Sequence, residues 1–153
     1  MYKYRIDTEY FSQRIQCSRD DKYECLRTIQ FLAEVENVYH SGGVAAVDRL
    51  LETEPTKFSA VFLYRAVELF MDVKSSQQIR TVLYNRIITS NFVGAQFLNG
   101  VVITEALCAI LDKESSDYIF NFLIPSFFGI DFEDNARQAY RDFRRSKMKL
   151  QGS

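Results

Sequence analysis

Apolar residues recur along this chain three and four positions apart, the spacing of one face of an α-helix, in segment after segment. Cys25, Ile29, Leu32, Val35 and Val38 mark such a face and predict a helix over 20–40. Asp20 or Asp21 can accept from its first free amides, and Ser41-Gly42-Gly43 stops it, because glycine tolerates a left-handed C-terminal residue. Val44, Val47, Leu50 and Leu51 predict a second helix over 44–54, closed by Pro55. A third, over 57–71, carries Phe58, Val61, Phe62, Leu63, Ala66, Val67, Leu69 and Phe70 on more than one side, which makes it the expected central helix. Ser75 or Ser76 caps a fourth over 76–89. The fifth, over 92–111, contains Gly94 and Gly100. Each costs about 1 kcal/mol relative to Ala inside a helix, so close packing against a neighbour is expected to compensate. A short sixth helix from Ser116 is interrupted at Pro125, and a charged last helix covers 132–150. Before these, Tyr10, Phe11 and Ile15 support at most a short helix from Thr8. The expected architecture is all-α, a compact bundle of six or seven helices forming one domain over 1–153, with 133–153 a charged C-terminal helix that is partly mobile.

Composition narrows the picture without changing it. The chain of 153 residues has two prolines and six glycines, too few for an all-β fold built on tight turns. The polar start, Met1–Tyr10, predicts no signal peptide. Residues 87–104 lack charged side chains but include Thr89, Ser90, Asn91, Gln96, Asn99 and Thr104, whose burial in hydrocarbon is costly, so they are expected to form a buried helix of a soluble protein. Cys17, Cys25 and Cys108 are scattered and odd in number, which predicts reduced thiols, two of them in the core, and a cytoplasmic setting.

Candidate chemistry is sparse. The single histidine, His40, would have to serve any Ser-His-Asp or Cys-His site, and it lies at a helix end beside Gly42-Gly43, where histidine commonly meets terminal carbonyls or solvent. A zinc site needs three or four Cys, His or carboxylate ligands, and no spacing here supplies them. Ser41-Gly42-Gly43 lacks the Gly-Lys-Ser/Thr of a phosphate loop. No catalytic, metal or cofactor-binding residue is therefore assigned. Glu105, in the apolar run 101–107, is either on an exposed stripe or a buried, paired acid. The aromatic segment Tyr118, Phe120, Phe122, Phe127, Phe128 and Phe132 is either core or an exposed docking patch.

Charge offers one concentrated feature. The net formal charge is −1, which gives no global field for nucleic acid, yet over 137–149 Arg137, Arg141, Arg144, Arg145, Lys147 and Lys149 stand against a single acid, Asp142. The segment reads as a solvated terminal helix, as a surface for a partner or an anionic membrane, or as a nucleic-acid contact that no fold motif accompanies.

Three blocks carry a family resemblance. Gly43-Val-Ala-Ala-Val-Asp48, Phe62-Leu-Tyr-Arg-Ala-Val-Glu-Leu-Phe-Met-Asp72 and Ser76-Gln-Gln-Ile-Arg-Thr-Val-Leu83 resemble, in order and spacing, the cytoplasmic helical region of the flagellar motor stator A subunits, the MotA family. The resemblance runs from Ile29 to Leu83, with a weaker continuation at Gly94-Ala-Gln-Phe97. It implies a helical, motor-associated interaction region. The family's arginine before the motif glycine falls on His40 and its glutamate on Asp48, positions that in the family are implicated in rotor contacts; the glycine after Asp72 is Val73. The family's transmembrane helices have no counterpart, so its proton-channel chemistry is not expected.

Together these features predict a non-enzymatic protein-interaction or scaffold module that binds a protein partner or itself. His40, Asp48 and Arg65 are the expected polar contacts, and Arg137, Arg141, Arg144 and Arg145 a second surface. The alternatives are a small-ligand or enzyme domain with a pocket near Glu105, and anionic-surface binding through the basic helix.

Overall fold

The computed structural model describes residues 8–51 and 60–151, and every regular element among them is helical. In chain order these are α1 (Thr8–Arg14), α2 (Arg19–Leu50), α3 (Ala60–Asp72), α4 (Ser76–Thr89), α5 (Ala95–Leu111), α6 (Ser116–Tyr118) and α7 (Glu133–Gln151). A π-helical turn (Ile119–Leu123) and two 3-10 turns (Pro125–Phe127 and Ile130–Phe132) join α6 to α7. The ends of the predicted helices over 52–54 and 57–59 lie outside the described residues.

The core forms around α5, not α3. Fourteen of the 17 residues of α5 are buried, because α4, α2 and α3 all pack on it. Val61, Arg65 and Glu68 instead face outward and leave α3 amphipathic. With Glu105 as its one charged side chain, α5 is apolar on nearly every side and suits the centre, whereas Arg65 and Glu68 hold one side of α3 in water.

The local signals work mostly as the residue types dictate. The cap of α2 is Ser18, whose Oγ accepts from Asp21 N at 3.1 Å, two to three residues ahead of the aspartates expected to do so; Asp20 and Asp21 occupy the first turn and suit the helix dipole instead. Ser75 caps α4 by accepting from Gln78 N at 3.2 Å. At Gly43 the backbone turns to φ 67°, so the two helices expected on either side of the Gly-Gly pair are present as two halves of a kinked α2. Gly94 lies outside α5 as its N-cap, with φ 62°, and its N–H donates to Arg14 O at 2.7 Å, tying α1 to the bundle. Gly100 is the close-packing glycine: a Cβ there would stand 3.1 Å from Ile87 Cδ1.

The aromatic segment divides between the two readings. Phe120, Phe128 and Phe132 are buried, with Phe120 stacked on Tyr140 of α7 at 4.5 Å and Phe128 on Phe132 at 5.6 Å. Phe122 is 61% exposed, and Tyr118 also faces outward. The same turn that sends Phe120 into the core therefore presents Phe122 to the surface. No helix among the described residues is long and apolar enough to cross a membrane.

Candidate functional site

The last helix sorts its residues by face. Ala136, Ala139 and Tyr140 are buried against the body of the bundle. Gln30 Nε2 of α2 donates to Ala139 O at 3.1 Å, and Lys147 Nζ lies 2.7 Å from Glu34 Oε1. Seating α7 this way turns Arg137, Arg141, Arg144 and Arg145 toward a groove of about 780 Å³. The opposite wall is the α6–π segment, which contributes Asp117, Asn121 and the exposed Phe122; Met148 closes one end. The four arginines named from the sequence thus share one site, because positions three and four apart on a helix fall on one stripe.

The four are not equivalent. Residue 125 is proline and has no N–H to return to Asn121 O. Arg137 Nη1 donates to that carbonyl at 3.2 Å, and the guanidinium also binds Glu133 (3.3 Å) and Asp134 (2.9 Å). These bonds, Asp134 first, raise its pKa and hold the charge in place. Arg145 makes a long contact of 3.6 Å with Asp142. Arg144 lies over the Tyr140 ring, 5.9 Å from its centroid. Among the described residues, neither Arg141 nor Arg144 has a carboxylate within ion-pair distance.

A second cavity of about 300 Å³ adjoins the groove, sharing Tyr140, Arg144 and Met148 with it. Here Glu36, 5% exposed, accepts from Ser116 Oγ at 2.7 Å through Oε1, while its Oε2 lies 4.0 Å from His40 Nε2. His40 therefore joins the arginine side of the molecule. Arg65 does not: it lines a separate groove of about 400 Å³ with Phe62, Arg86 and Phe92. Asp48 is exposed beyond the Gly43 kink and lines none of these three grooves.

Glu105 is a half-buried, paired acid. Arg80 reaches it through Nε (3.2 Å) and Nη2 (2.9 Å) to Oε1, and Tyr84 Oη donates to Oε2 at 2.6 Å. The hydrogen bond to Glu105 raises the Arg80 pKa against the opposing effect of burial. Such a carboxylate is already occupied by donors from the neighbouring helix, an arrangement that staples α4 to α5.

Among the described residues, no cluster of three or more His, Cys, Asp or Glu side chains is placed to hold a metal ion. Comparison of the chain with protein families, curated proteins and solved structures returns no match. The parts of the site that the sequence does not single out are Tyr140, Met148, Asn121 and Asp117. Met148 had a readable signal, since it extends the 137–141–144–145 stripe by one turn.

Proposed function

We propose that this protein is a non-enzymatic interaction module that docks a protein partner in the groove along α7. The observation that carries this reading is the pair Arg141 and Arg144, without ion-pair partners among the described residues, facing the exposed Phe122 across a concave surface. A charged stripe beside an exposed aromatic anchor has the makeup of a recognition site, in which the aromatic supplies buried area and the guanidiniums supply directed hydrogen bonds. The three sequence blocks that resemble the stator cytoplasmic region support a motor-associated protein as the partner.

The test places a photo-crosslinking residue at position 122 in cells that express the chain. The expected result is a covalent adduct with one identified protein, lost in an Arg141→Glu/Arg144→Glu variant whose thermal transition is unchanged. Adducts with lipid alone would replace this reading with anionic-surface binding. The absence of any adduct that depends on the two arginines would overturn it.

A further inference from the structure

We infer that the occupant of the α7 groove is an acidic amphipathic helix of the partner, which rests on the docking reading above. Three properties of the groove select it. The first is charge geometry. Arg141 and Arg144 sit three residues apart on one helix face, and each guanidinium is planar and able to grip a carboxylate through two parallel bonds. Carboxylates spaced three or four residues apart on a partner helix repeat at the same interval.

The second is shape. The stripe from Arg137 to Met148 spans 11 residue steps, roughly 17 Å of helix at about 1.5 Å per residue, or three turns. The facing wall is itself helical, so the groove has the form left between two rods, which takes a third rod. A membrane-binding face has the opposite form, with apolar side chains projecting from a convex surface and the cations around them. Here the arginines line a concavity, which a rod can enter and a flat phosphate surface cannot.

The third is the apolar content. Phe122, 61% exposed on one wall, and Met148, 65% exposed at the end, provide contacts for apolar side chains at every third or fourth position. Carboxylates on one edge and apolar residues on the adjoining face define an acidic amphipathic helix. A purely acidic tail would leave Phe122 and Met148 uncovered.

The experiment measures fluorescence anisotropy of labelled peptides of about 18 residues, roughly 27 Å when helical, with the full chain. One peptide places Glu at three- and four-residue intervals beside a Leu stripe; a second has the same composition scrambled to destroy both stripes. The ordered peptide is expected to bind at least about tenfold more tightly. That preference should fall by about tenfold in Arg141→Glu/Arg144→Glu and in Phe122→Ser, and should persist in Arg65→Glu on the separate groove. Equal binding of the two peptides would reduce the site to simple charge attraction and overturn the inference. Binding to phosphatidylserine-containing phosphatidylcholine vesicles with neither peptide bound would also overturn it. If the crosslink at position 122 still traps an arginine-dependent protein while the ordered peptide fails to bind, the helical occupant is wrong and the docking reading stands.

Discussion

Cys25 and Cys108 show how strongly the surroundings of one side chain set its chemistry. Both are buried, and both thiols contact a backbone carbonyl: Cys25 Sγ lies 3.9 Å from Ala95 O and Cys108 Sγ 3.5 Å from Ser76 O. Burial is the main cause that pushes each pKa from 9.0 up to about 12. In the folded chain each thiol therefore keeps its proton at a pH where the unfolded chain has lost it. The stabilisation is fully present below the unfolded value near 9 and is lost as pH rises from there toward 12, at about 1.4 kcal/mol per pH unit for each thiol. Urea midpoints taken at pH 8 and pH 10 are expected to fall further in the native chain than in a Cys25→Ala/Cys108→Ala variant. Equal falls would show that the thiols ionise as readily inside as outside. The apolar setting of both cysteines is legible in the sequence. The pairing of Glu105 is only half legible: an acid within an apolar run is visible, but its donors, Arg80 and Tyr84, lie 25 and 21 residues away on another helix, and only the packing of α4 against α5 brings them together.

At the scale of single elements, the helices were readable where a cap or a glycine punctuates a strong period, and unreadable where three short helical forms follow one another. The switch from α6 to a π-helical turn moves the amide of Ile124 to Ile119 O, five residues back, at 2.9 Å, and no periodicity announces it. Its consequence is the carbonyl of Asn121, which Pro125 cannot satisfy and Arg137 does. That division of labour predicts different outcomes for two arginines on one stripe. Arg137→Ala should lower the thermal midpoint, because it strips a donor from a turn carbonyl and two carboxylates of their partner. Arg141→Ala should leave stability within about 0.5 kcal/mol, as exposed substitutions without structural contacts do, while weakening binding of the ordered acidic peptide. Matching thermal shifts for the two variants would show that the Asn121 contact does not hold the wall of the groove.

Considered as a whole molecule, the chain places the proposed recognition surface on the same helix that completes its core. The basic segment reads in the sequence as a terminal helix that solvent could surround, because its charges dominate and its three small or aromatic inward residues, Ala136, Ala139 and Tyr140, are too few to stand out. Packing reverses the emphasis. Those residues cover Phe120 and the flank of α2, Lys147 meets Glu34 at 2.7 Å, and the arginines are aimed outward as a result. A detachable tail and a structural wall make opposite predictions for truncation. If α7 were a tail, a chain ending after residue 135 would keep its cooperative unfolding and lose only binding. As a wall, its removal uncovers the stacked face of Phe120 and the buried carboxylate-bearing side of α2, a loss of apolar burial worth several kcal/mol at about 25 cal/mol per Å² against a total stability of about 5–15 kcal/mol. The truncated chain is therefore expected to bind a hydrophobic dye and to unfold over a broadened urea transition, with far-ultraviolet helicity largely kept. A sharp transition with an unchanged urea dependence would separate recognition from folding. A broad one would mean that a partner gripping α7 also braces the bundle, so that docking raises the thermal midpoint of the whole protein and not of α7 alone.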